Sequence, residues 1–314
     1  MKEIFILSCA PVAEGGGVYK YAFDEKGTLE KRAYLPCDRP MYAVNDGKRL
    51  HILLRSPFSD SENSGYFSCK TDFSNRTEVK NTLGKCACHL AADGNDTYIV
   101  NYLSGNIVKN CSLSREHKGK GVNLSRQEMP HTHFAAFTPD KKNVLCCDLG
   151  LDTVFVYDRN LSEVSRSKVP DGYGVRHLVF SENGHIVYAV NELVPSVAVF
   201  SFDGKRLALQ NTVNLPCEKK NSTAAAIRLS QGGKTLYVSI RGENAVFVFN
   251  IDGEKLQLKT LFDCGGDSPR DFDLLGDTLI CCNENSNNVA VIDAKEDRIV
   301  ESICLQHPLC VSAT

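Results

Sequence analysis

Short apolar runs alternate along the chain with polar turns rich in Gly, Asp and Asn. The stretch GYGVRHLVFSENGHIVYAVNEL (172–193) contains the whole unit: an apolar run, the turn SENG, a second run, and a charged residue at each end, Arg176 and Glu192. No segment keeps apolar residues at i, i+3, i+4 and i+7 over three turns, so the period is not helical. Runs this short, bounded by turn residues, predict buried strands joined as hairpins.

The same hairpin recurs. Copies begin at Pro40 (PMYAVNDGKRLHILLR), Cys88 (CHLAADGNDTYIVNY), His133 (HFAAFTPDKKNVLCCDL), Arg176, Ala225 (AAIRLSQGGKTLYVSIR) and Arg270 (RDFDLLGDTLICCNE). Each runs on into a third strand, such as DTVFVYD or NAVFVFNID, and often into a weaker fourth, such as GKRLALQNTV. Four short strands in about 45 residues is the signature of a propeller blade. The opening piece GGGVYKYAFDEKGTLEKRAYL supplies outer strands only, and the tail HPLCVSAT (307–314) predicts its innermost strand. The expected fold is therefore all-β: a seven-bladed β-propeller of four-stranded antiparallel blades around a central channel. Residues 1–314 would form a single domain, with the ring closed by the C-terminal strand so that no sheet edge is left bare. The strand pattern excludes an α-solenoid, and the absence of Trp argues against a propeller of the Trp-Asp repeat type.

In such a blade the start of the innermost strand and the end of its antiparallel neighbour share one rim. Starts fall at Pro40, Cys88, His133, Arg176, Ala225 and Arg270; ends fall at Arg55, Tyr102, Leu149, Glu192, Arg241 and Glu284. Arginines, a histidine, a tyrosine and two glutamates thus converge on one mouth. Asn101, Asp148, Asn191 and Asn283 repeat one position earlier and predict a structural role, capping the following turn. His131 and His133, at i and i+2, are expected on one face of a strand. No third ligand has zinc spacing, so general acid/base work or oxyanion donation suits one of them better.

Composition narrows the partners. A net charge of −2 gives no global field for nucleic acid or membranes. The N-terminal apolar run is too short for a secretory signal, and no run approaches a membrane span, so cytoplasm is the expected location. Fourteen cysteines in a chain of this kind read as buried reduced thiols rather than disulfides. Cys146–Cys147 and Cys281–Cys282 sit inside apolar runs, where adjacent side chains point to opposite faces and cannot share a metal. The CAC at 86–88 puts two thiols on one side, with no second cluster to complete a tetrahedral site. Oligomeric state is not legible.

On these segments the chain resembles the seven-bladed propeller lactonases, which include propeller-type 6-phosphogluconolactonases and the fungal 3-carboxy-muconate lactonising enzyme. The resemblance lies in residues 88–107, in 115–158 with its His-Thr-His, in GVRHLVFSENGHIVYAVNEL (174–193), in 234–252 and in 268–292. It implies that His133, Arg176, Glu192 and Arg241 are the catalytic set. One departure stands out: where the family has an acid followed by Ile-His before IRLSQGG, this chain has Ala226 and Arg228.

The implied activity is cofactor-independent hydrolysis of a sugar lactone, 6-phosphogluconolactonase-like, with no metal. Glu192 would be the base, His133 the acid and an arginine the oxyanion donor. Arg270, with His131, Tyr102 and Glu284 around it, would bind a small anionic lactone bearing a phosphate or carboxylate. Two alternatives remain open: a muconate-type lactonising cycloisomerase, and a non-catalytic propeller binding a ligand or protein on its rim.

Overall fold

A strand that carries apolar residues on both faces must be covered on both. The computed structural model, which describes all residues except 1, 25, 26 and 314, meets that demand by stacking sheets around a ring. Seven four-stranded antiparallel sheets form seven blades. Their innermost strands are Pro308–Ala313, Pro40–Asn45, Ala87–Ala92, Thr132–Phe137, Val175–Phe180, Thr223–Leu229 and Pro269–Leu275, in blades 1 to 7. Each innermost strand contacts the next around a closed circle. Apart from these strands, the described residues form turns, loops and one short 3-10 helix at Val12–Glu14.

The core lies between the blades. Seven apolar clusters correspond to the seven blade interfaces. In blade 5, Val187 and Ala189 join the cluster shared with blade 4, while Tyr188 and Val190 join the one shared with blade 6. Strand alternation thus serves two cores from one strand. Each fully buried Val, Leu or Ile adds roughly 1.5–3 kcal/mol. Adjacent cysteines follow the same rule: Cys146 packs between blades 3 and 4 and Cys147 between 4 and 5, and Cys281 and Cys282 divide in the same way.

Ring closure follows the prediction. Pro308–Ala313 is the innermost strand of blade 1 and pairs antiparallel with Lys2–Ser8, Val311 opposite Ile6 and Cys310 opposite Leu7. The outer strands of that blade are Gly17–Phe23 and Leu29–Pro36. Residues 25 and 26 of the predicted opening piece, and residue 314 of the predicted closing strand, lie outside the described residues.

One local feature positions the site. Every innermost strand slips register near its start, where the ladder skips a residue. The skipped residues are Met41, Cys88, His133, Arg176, Arg270 and Leu309, and in blade 6 the pair Ala225 and Ala226. A β-bulge re-aims the side chain it carries. The blade 2 repeat is thereby corrected by one residue: Met41, not Pro40, is the equivalent of Cys88 and His133. The recurring strand-end residues are fully buried and structural. Asp148 caps its turn by accepting from the Leu151 N–H at 3.1 Å. Asn101 instead reaches back to Thr82 of blade 2, and Asn283 to the Cys264 carbonyl beyond blade 6.

Candidate active site

The bulges and the strand ends meet at one end of the channel. An open cavity of about 210 Å³ is lined there by Met41, Cys86, Cys88, Tyr102, Arg126, His133, Glu192, Arg241 and Arg270. Beneath it a second cavity, of about 20 Å³, shares Met41, Cys88, His133 and Arg270 and adds Tyr42, Arg176, His177, Asp271 and Leu309.

Glu192 is the centre of the charge arrangement. Its carboxylate is 5% exposed and meets three guanidinium groups: Arg126 Nη2 donates to Oε1 at 2.6 Å, while Arg176 Nε and Arg241 Nη2 lie 3.0 and 3.1 Å from Oε2. The Arg176 Nε–H makes no hydrogen bond, so that contact is an ion pair without donor alignment. Burial alone would raise the Glu192 pKa; Arg241, Arg176, His133 and Arg126 outweigh it and hold the carboxyl well below the usual range. Burial acts oppositely on Arg176 and pushes it down to about 10, with Glu192 opposing. It stays a cation at neutral pH.

Arg176 and Arg241 are held from below by blade 6. Arg176 Nη1 donates to the Ala225 carbonyl at 2.6 Å and lies 3.1 Å from His177 Nε2; Arg241 Nη2 donates to the Ala224 carbonyl at 3.3 Å. The backbone at the double bulge, through the carbonyls of Ala224 and Ala225, thus meets both arginines. Ala226 itself is fully buried, its N–H bonded to Ser239 Oγ at 3.0 Å. Arg228, the second departure, turns to blade 7 and pairs with Asp271 at 2.7 Å.

His133 is 5% exposed with no partner on Nδ1. Burial, then Arg176, lowers its pKa well below 6.5, so the ring is a neutral imidazole at neutral pH. Its ring meets Tyr102 edge to face, and Tyr102 also stacks on His131 at 4.4 Å. The expectation that His131 and His133 share one strand face is corrected here. His131 precedes the strand and the bulge at 133 resets the alternation. His131 is instead tied to the Tyr102 carbonyl and to Glu128, behind the mouth. Glu284 is likewise absent from the cavity wall; it accepts from Arg270 Nη1 at 3.1 Å.

Sequence reasoning missed Arg126. It lies on the connection 117–131 between blades 3 and 4, the longest between any two blades and outside the repeat. Its only legible signal was that length. His177, Tyr42 and Asp271 were hidden inside strand runs. Among the described residues no cluster of three or more His, Cys, Asp or Glu side chains is arranged to hold a metal, and no helix is long and apolar enough to cross a membrane.

Fold and mouth together define a seven-bladed propeller whose bulged inner strands carry a cation-rich site with buried, neutral histidines, His133 and His177. The chain belongs to the seven-bladed β-propeller lactonase family, whose model matches residues 4–312. It is 28% identical over 312 residues to an uncharacterized protein of Staphylococcus aureus strain USA300, covering 88% of each chain. Among solved structures, a protein from Lactobacillus plantarum superposes with a TM-score of 0.90 at 25% identity, over 100% of both chains. A "putative 6-phosphogluconolactonase" of Bacteroides fragilis superposes at 0.89 and 23%, over 100% of this chain and 98% of that one. The periplasmic gluconolactonase of Pseudomonas aeruginosa gives 0.84 and 22%, over 99% of both. The last two likenesses establish the fold alone.

Proposed function

We propose that the protein hydrolyses a lactone bearing an anionic group, of the 6-phosphogluconolactone kind, at the channel mouth. The observation that carries this reading is the charge balance around His133. Four arginines (126, 176, 241 and 270) face two carboxylates (Glu192 and Glu284), leaving a formal surplus of two positive charges at the mouth. Guanidinium forks bind phosphate and carboxylate well, and family membership supplies the lactone.

Hydrolysis needs a base for water, a donor for the tetrahedral oxyanion and a proton for the leaving ring oxygen. The proton carrier in this scheme is His133, not Glu192. A carboxylate held by three arginines is a weak base, whereas an uncharged imidazole in the cavity wall can accept a proton from water. The imidazolium would then give that proton to the departing alkoxide. Glu192 stabilises the imidazolium, its charge acting against the arginines. An anionic substrate that neutralises Arg270 removes one of the cations depressing His133 and so moves its basicity towards neutral pH. Arg241 is suited to receive the oxyanion.

The test is acid release from 6-phosphogluconolactone, corrected for spontaneous hydrolysis. His133→Ala should lower turnover at least about 10²-fold; a near wild-type rate refutes the assignment.

A further inference from the structure

The three arginines on Glu192 are not equivalent. Arg176 is 3% exposed and Arg241 17%, and each also donates to a blade 6 backbone carbonyl. Arg126 is 40% exposed. The groups around its guanidinium are the Glu192 carboxylate and the Tyr102 hydroxyl, both in the cavity wall. The backbone beneath it is fixed. Gln127, fully buried, donates from Nε2 to the Leu149 carbonyl and to Asp152 Oδ1, both at 2.8 Å, and its own N–H donates to the Asn123 carbonyl at 2.6 Å. A long side chain therefore stands on an anchored turn, with its head over the cavity.

We propose that Arg126 is a specificity-determining residue that exchanges Glu192 for the anionic group of the incoming lactone. The proposal rests on the hydrolase reading above. The exchange swaps one charge-assisted contact for another, carboxylate for phosphate or carboxylate, so it costs little. Arg176 and Arg241 stay behind, held by the Ala225 and Ala224 carbonyls, and keep Glu192 in place. With one cation fewer on it, the Glu192 charge acts more strongly on His133, whose basicity it raises. Binding of the anion is thereby coupled to readiness of the proton acceptor. An uncharged lactone cannot draw Arg126 away and gains neither effect.

The test compares wild type, Arg126→Gln and Arg126→Lys on three lactones: 6-phosphogluconolactone, the carboxylated saccharic acid 1,4-lactone and uncharged glucono-δ-lactone. Binding of 6-phosphogluconate is measured alongside by calorimetry. In Arg126→Gln the ratio of kcat/KM for a charged lactone to that for the uncharged one should fall at least about tenfold, with 6-phosphogluconate binding weakened to match if phosphate is the anion. Lysine should restore part of the loss. Which charged lactone suffers identifies the anion as phosphate or carboxylate. Ratios and affinity within threefold of wild type, in a protein that turns over lactones, overturn the proposal. If wild type turns over no lactone, the hydrolase reading fails; the role of Arg126 is then decided by calorimetry alone, where an unchanged 6-phosphogluconate affinity overturns it.

Discussion

Replacing Glu192 with Gln keeps the side-chain shape and removes one negative charge from among three guanidinium groups at 2.6, 3.0 and 3.1 Å. Removing one partner of a buried ion pair costs about 3–5 kcal/mol, because the other charge is left uncompensated. Arg126 is half-exposed and screened by water, so the low end, about 3 kcal/mol, applies here, carried mainly by Arg176 and Arg241. For 314 residues, an unfolding entropy of about 2.1 cal/mol/K per residue converts this to a Tm lowered by roughly 5 °C. The sign of the pH dependence follows from the lowered Glu192 pKa. A carboxyl that titrates lower in the folded chain than in the unfolded one stabilises fully above the unfolded value of about 4.5. That contribution is lost as pH falls from there through the folded value. Guanidinium denaturation of wild type and Glu192→Gln at pH 7 and pH 4 should show a gap of about 3 kcal/mol that narrows in acid. A gap below about 1 kcal/mol at pH 7, or one equal at both pH values, refutes the desolvated cluster.

Arg270→Ala should raise KM for the charged lactone about tenfold or more with a smaller change in kcat, since Arg270 lines both cavities and sits apart from the Glu192 cluster; an unchanged KM removes it from the binding site. Thiol titration of the native protein with a chromogenic disulfide at pH 8 should find one fast cysteine, the exposed Cys304. Burial raises the Cys146, Cys147, Cys281 and Cys282 thiols well above 9, and Cys9 and Cys111 to about 11. A second thiol as fast as Cys304 would refute the reasoning that burial holds the other thiols unreactive.

The blades were legible because each repeats one pattern, and the mouth residues because the repeat assigns them equivalent positions. What the repeat could not reveal lies where it is broken. His133 falls in a bulge and His131 lies before the strand, a departure from alternation that no residue type signals in advance. The blade 2 start was misread by one residue because Pro40 begins the strand while Met41 occupies the bulge. Arg126 sits on the one long connection, where no equivalent position exists for comparison. Ala226 stands out in the sequence as a departure from the family pattern. In the structure two residues are skipped there instead of one, and the carbonyls of Ala224 and Ala225 accept from the arginines.

The bulges also explain how one fold combines a uniform core with an irregular site. Residues in the ladder alternate between two blade interfaces, so most are apolar and matched in volume to their cluster. The skipped residue falls out of that alternation: at His133, Arg176 and Arg270 its side chain lines the cavities, whereas Met41, Cys88, Ala226 and Leu309 at the same position also belong to the inter-blade clusters. Imidazole, guanidinium, thiol and thioether all occupy this one position around the ring, as His133, Arg176 and Arg270, Cys88, and Met41. Changing His133 or Arg270 should therefore alter what the mouth binds or does while leaving inter-blade packing intact, whereas an equal change one residue beyond His133, at Phe134, falls on a ring packed against the blade 4–5 interface and His177. Arg176 differs from His133 and Arg270 in this respect. Its charge is buried and bound to Glu192, so at that bulge chemistry and stability are joined.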